Sequence, residues 1–527
     1  MLSKRIGGLL ALIYLCFLGP LTAQDLPYPP KPSPYSASTA VVCNRNIPES
    51  LELARYYAEA RAIPEDNIVV IDCPTVEEIT REDYERLIEK PLRSAMLRRN
   101  WWIPSRDPNT GTQDIKSSIK IVTLMYGIPL KIKEESAGAD GTMKTTAASI
   151  DSELTILSQP GLTHEGPLSN PYFQSDQSFS EVDMPILLVG RLDGPTPQIC
   201  KRIIDDTILA ETNGVWGNGY VDLSEQGAQG NEWLMGAAEN LRRVGVTVTL
   251  DRYAPPFAAN YPYNHPAFYF GWYEPDASES FQNPDFRFQQ GAIAYHIHPK
   301  SCAKLHTTRE HWAGPLLDKG AAAVLANVDQ PSLEICFQPD IFTNRLCRGY
   351  TLVESAYASV RVFSWMGVVL GDPLYTPFPA INQPLNPSHY TLNEENGEDE
   401  MAPYKVMRLT YARWGEGKAL PEGNLFYRLE LASARLPRGE ILEHIALGFE
   451  EQGDEFESRI QYMRAKSAFE KPADKLRMDL HLAELELLKG NRLAAFKVLR
   501  DAEAEYSGIP EVGAVQAMRA IVQQPQQ

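Results

Sequence analysis

Cysteine is scarce in this chain, 7 of 527 residues, and histidine nearly as scarce at 9. Beyond the first 23 residues six cysteines remain, too few for a disulfide framework, so the core has to hold by apolar burial. Positive charge is in deficit. The 50 Lys and Arg face 68 Asp and Glu, and the formal charge of −18 repels phosphate backbones, so no nucleic-acid partner is expected. Several motifs are missing too: no Gly-x-Gly-x-x-Gly after the first strand, no phosphate loop, no Gly-x-Ser-x-Gly elbow, no His-Glu-x-x-His and no paired Cys-x-x-Cys. Their absence removes nucleotide enzymes and ordinary serine hydrolases from consideration.

What is present begins with an address. Lys4 and Arg5 precede the apolar run Ile6 to Leu18, followed by Pro20 and Leu21-Thr22-Ala23. This pattern predicts a signal peptide over 1–23 and an exported protein, periplasmic or extracellular. The run is shorter than the ~20 apolar residues of a bilayer span, so no stable membrane span is expected after cleavage. Residues 24–37 read as a Pro-rich linker. Cys43 with Cys73, or Cys336 with Cys347, are positioned for disulfides, with buried free thiols as the plainer reading.

From 38 to 378 short β-branched runs alternate with amphipathic stretches, which predicts an α/β domain built on a mostly parallel sheet with helices on both faces. Expected strands include 39–43, 67–72, 119–126, 185–189, 219–223, 245–250, 267–270, 292–297 and 321–328. The segment after Lys131 and the block 158–182 read as long loops, expected to roof a cleft at the strand carboxyl ends. Residues 379–403 read as an acidic, Pro-rich linker. Beyond Tyr404 the composition is helical to the end, and it repeats: Gly453-Asp454 is answered by Gly490-Asn491, Ala465 by Ala502, and Pro472 by Pro510. This 404–527 unit resembles tetratricopeptide repeats, with slightly longer spacing.

Four segments carry a second resemblance. Ile186-Leu-Leu-Val-Gly-Arg-Leu192 before a helix, Lys319-Gly-Ala-Ala-Ala-Val-Leu-Ala-Asn327, the helix around Leu346–Ala356 and Val369-Leu-Gly-Asp-Pro-Leu374 are similar, in that order, to the gingipain-type cysteine peptidases of the caspase-like group. Over most of 38–378 the chain also resembles an uncharacterised family of exported bacterial proteins. The peptidase resemblance implies a general-base histidine at one strand end and a nucleophilic cysteine at the next, because a thiol needs a base within reach to become a thiolate. Here the matching ends read Gly271-Trp272-Tyr273 and His296-Ile-His298-Pro-Lys-Ser-Cys302. Trp272 stands where the base belongs, and indole accepts no proton.

Three functions remain open. The leading one is a binding or scaffolding protein for a protein, peptide or glycan, built on a degenerate peptidase-like domain, with Arg191, Asp193, Trp272 and Tyr273 lining the cleft. The second is a cysteine hydrolase using Cys302 with His296 or His298. The third is a metal-dependent hydrolase. His296 and His298, two apart on a strand, share a face, and His306 or His311 could complete an open zinc site. No cofactor is implied by the leading reading, and zinc is the alternative. The aromatic block 257–288 is expected mainly as core, with Trp272 and Tyr273 as cleft walls.

Overall fold

The computed structural model describes residues 26–106, 113–134, 145–159, 165–224, 227–253, 257–329, 332–378, 399–415 and 423–523. The expected signal peptide and all but the end of the acidic linker lie outside them. Ten strands form one sheet: β1 Thr39–Asn44, β2 Ile68–Ile71, β3 Ile121–Met125, β4 Leu188–Leu192, β5 Asn218–Asp222, β6 Val248–Asp251, β7 Pro266–Trp272, β8 Ile293–Ile297, β9 Ala323–Asn327 and β10 Gly367–Gly371. Their spatial order is β6-β5-β7-β8-β9-β10-β4-β3-β1-β2. The run β2-β1-β3-β4 pairs in parallel, as does β6-β5-β7-β8-β9, while β10 runs antiparallel to β9.

The strands are apolar on both faces because both faces are covered. On β1, Val41 and Cys43 point into one core with Leu53, Ala54 and Tyr57 of helix α1 (Pro48–Ala60), and Ala40 and Val42 point into another with Leu92 and Met96 of α2 (Lys90–Arg98). Burying each such Val or Leu contributes about 1.5–3 kcal/mol. Helix starts follow local chemistry. In α3 (Pro197–Asn213) the Thr196 hydroxyl accepts from the Ile199 amide and Pro197 presets the first turn. Next come α4 (Ala228–Arg243), α5 (Pro339–Cys347) and α6 (Leu352–Ala358), the last opened by a Thr351–Glu354 capping box.

Four expectations need correction. Residues 26–37 are no free linker: the Tyr28 hydroxyl donates to Asp205 at 2.7 Å, that of Tyr35 to Glu354 at 2.5 Å, and both rings are buried. The fourth strand starts at Leu188 rather than Pro185, so Arg191 is inside it. The block 158–182 does not roof the carboxyl ends in its described part. Phe179 and Val182 carbonyls accept from Lys120, just before β3, and Asn170 donates to carbonyls 357 and 360 at the end of α6. The six cysteines among the described residues are buried and unpaired, so no disulfide joins 43 to 73 or 336 to 347.

Seven helices follow: α7 Ala402–Trp414, α8 Asn424–Arg435, α9 Gly439–Glu451, α10 Glu455–Ala468, α11 Pro472–Leu488, α12 Arg492–Glu505 and α13 Val512–Gln523. The repeat noted in sequence has a backbone cause. Gly453 and Gly490 sit at φ +75° and +73°, where glycine is favoured, and Asp454 and Asn491 then cap α10 and α12.

The helical unit is docked on the sheet domain through a polar belt. Arg477 is buried, bidentate to Glu443 at 2.8 and 2.7 Å, bonded to Asp474 at 2.6 Å and to the Pro262 carbonyl at 3.0 Å. His444 lies between the Thr247 hydroxyl at 3.0 Å and the Tyr411 hydroxyl at 2.9 Å.

Candidate functional site

The strand tips that the sequence singles out are neighbours. Gly271 pairs with His296 and Trp272 with Ile297 in the β7–β8 ladder, and the Cys302 amide donates to the carbonyl of Asn327 at the end of β9. Two groups of side chains occupy this edge.

The inner group is a closed chain of charge. Arg191, fully buried on β4, directs Nε and Nη2 at Asp151, Nη1 at Asp193 (3.1 Å), and its remaining N–H groups at the carbonyls of Ile128 and Pro129. Every guanidinium donor is thereby used. The other Asp193 oxygen lies 2.9 Å from His306 Nε2, and His306 Nδ1 lies 3.4 Å from Glu77, which also accepts the amides of Leu305 and His306. Burial lowers the His306 pKa, but the Asp193 and Glu77 carboxylates more than offset this and the net shift is upward. His306 therefore holds its proton more strongly than a free imidazole does.

Cys302 lies within electrostatic reach of this chain, and its thiol is fully buried. Burial pushes its pKa far upward, against the pull of Arg191. A thiol so placed is a poor nucleophile. His296 is taken up by Trp312 and the Tyr269 hydroxyl, His298 accepts from the Lys300 amide, and His306 is committed to carboxylates. The expected dyad is not assembled.

The outer group is built around Trp272. Its indole Nε1 donates to Asn231 at 2.9 Å, and Asn231 is fixed in turn by the Ser224 amide and carbonyl. The ring covers Gly230, where a Cβ would come within 2.5 Å of it. Trp272 is therefore a packed wall, 7% exposed, whereas Tyr273 beside it is 46% exposed. His298 stands edge-on to Tyr273 and accepts from the Lys300 amide, close to Asp276 and His311.

His296 is buried, stacked on Trp312 with centroids 3.6 Å apart, and its Nδ1 is 2.9 Å from the Tyr269 hydroxyl. Burial drives its pKa well below the ordinary 6.5. Of the third zinc ligands considered, His306 is bound to Asp193 and Glu77, and His311 faces Asp276 at 3.7 Å. Among the described residues no three His, Cys, Asp or Glu side chains converge in a metal-holding arrangement.

The cleft reading thus divides. Arg191 and Asp193 are interior, Trp272 is a wall, and Tyr273 alone of the four presents a broad surface to solvent. Sequence reasoning missed Asp151, Glu77 and Asn231, whose partners lie 40, 229 and 41 positions away. No protein-family model matches the chain, and no curated protein matches it.

Proposed function

We propose that this is an exported binding or scaffolding protein, in which an α/β domain of cysteine-peptidase-like build no longer cleaves and the helical tail offers the surface for a protein or peptide partner. One observation carries the reading: Cys302, the cysteine on the loop after β8, is sealed in the core, while His296, His298 and His306 are each held by other groups. The tail supports it from the other side. Phe456 and Leu493 are 72% and 68% exposed, Met463 and Leu488 are also exposed, and the Lys489–Glu455 ion pair at 2.6 Å brings the start of α10, with Phe456, to the end of α11, with Leu488. Large apolar side chains gathered on a surface mark interaction sites.

The test has two arms. Native protein treated with iodoacetamide should show no added mass, and it should not hydrolyse a fluorogenic peptide library. Phe456→Glu with Leu493→Glu should abolish a partner's co-purification without moving the melting temperature. Peptide turnover that Cys302 alkylation blocks would establish a hydrolase instead.

A further inference from the structure

The strand tips are sealed, but a pocket of about 310 Å³ opens two strands beyond β7, between the β6 edge of the sheet and the tail. Leu250 and Asp251 of β6 form its floor, Phe257 and Tyr261 one wall, and Leu480 and Glu484 of α11 another. The last helix, α13, closes it with Ala514, Ala517 and Ala520, whose short side chains leave the space that a leucine would fill. The volume is within the range of small-ligand sites.

Its charge is one-sided. Asp251, Glu484 and Glu279 all line the pocket. Asp251 accepts the Tyr253 amide at 3.1 Å and makes no ion pair among the described residues. The neighbouring cation, Arg252, is shared between Glu484 at 3.0 Å and Glu451 at 3.7 Å. Among the described residues Glu279 accepts only the Ala259 amide and His481 leans on Glu443 at 3.6 Å; the remaining titratable side chains of the lining, Tyr253 and Tyr261, bring no positive charge. Burial and the Glu450 charge push Glu484 up to about 7 against the pull of Arg252, and burial pushes Asp251 to about 7 as well. Two carboxyls are thus held at a cost that a cation would relieve.

We propose that this pocket binds a small organic cation: an ammonium head placed against Asp251 and Glu484, with an apolar body between Phe257, Tyr261, Leu480 and the alanines of α13. A neutral apolar guest would leave the carboxyls uncompensated, and an anion would be repelled. A bare metal ion would leave the apolar walls empty.

The probe is phenethylammonium, titrated calorimetrically into the full-length protein at pH 8, with phenethyl alcohol and 3-phenylpropanoate as controls of the same body. The amine should bind at least tenfold tighter than the alcohol, and the acid should not bind. Asp251→Asn should bring the amine down to the alcohol's affinity. Ala517→Leu, or Ala520→Phe should that variant fold poorly by circular dichroism, should remove binding of both. Equal affinity of amine and alcohol, no binding at all, or binding that survives a folded filling variant would each overturn the proposal.

Discussion

Replacing Arg477 by Met tests how the tail is held to the sheet domain. Burial alone would raise the Glu443 pKa, but the Arg477 charge and its two hydrogen bonds, helped by His481, bring it down from 4.5 to about 2. At about 1.4 kcal/mol for each tenfold change in proton affinity, that pairing is worth about 3 kcal/mol near neutrality. Removing one partner of a buried pair independently costs about 3–5 kcal/mol, because the other charge stays buried. Urea denaturation at pH 7 should therefore show Arg477→Met less stable by about 3–5 kcal/mol. The sign of the pH dependence should also change. In the native chain the depressed pKa gives stability that is present above pH 4.5 and lost as pH falls toward 2. In the variant burial dominates, Glu443 binds its proton more tightly folded than unfolded, and acidification from pH 7 to 5 should recover stability. The double variant Arg477→Met with Glu443→Leu should restore most of the loss. A single variant within 1 kcal/mol of the native protein, or one with an unchanged pH slope, would refute the argument.

Three further perturbations address the same interface and the strand tips. His444 is held near pKa 4 by burial and the Arg242 charge, so its contribution is present above pH 6.5 and lost as pH falls through 4. Asp251, raised to about 7, favours folding below its ordinary 3.8 and loses that as pH rises through 7. Between pH 8 and 5 each is worth about 2–3 kcal/mol, with opposite sign. His444→Gln should accordingly make the protein more acid-tolerant and Asp251→Asn less so, read from urea midpoints at the two pH values. Gly230→Ala should displace Trp272, red-shift the tryptophan emission and cost about 1–3 kcal/mol despite the better helix propensity of alanine.

Sequence patterning located nine of the ten strands because short continuous apolar, β-branched runs bounded by turn residues are a local signal. It misplaced β4 and missed β10 for local reasons as well. In β4 the apolar run Ile186 to Val189 continues into Gly-Arg-Leu, and a charged residue reads as a strand end. The buried Asp151 carboxylate that makes Arg191 an interior residue is 40 positions away. In β10 the three apolar residues Val368-Val369-Leu370, followed by Gly-Asp-Pro, gave too short a signal, although Asp372 is bound there by Arg61 and Tyr57. The pairing of Trp272 with the His296 strand was legible from the order of segments. The fate of each side chain was not: whether an imidazole stacks on Trp312 or a thiol faces solvent depends on packing partners remote in sequence.

The distribution of satisfied and unsatisfied polar groups locates functional capacity better than the resemblance does. At the tips of β4 and β8 every donor of Arg191 is used and Cys302 is sealed, the condition of a structural knot. At the tips of β5 and β6 the opposite holds. Asp222 pairs in register with Asp251, both carboxyls are driven upward chiefly by burial, and Asp222 Oδ2 has no hydrogen-bond partner. Folded chains tolerate such unpaired buried carboxyls mainly where a ligand or a proton is handled. The edge that borders the tail therefore carries a chemical frustration that the tips of β4 and β8 lack. A ligand bound there touches β6, α11 and α13 together, so its occupancy is coupled to how tightly the tail sits on the sheet.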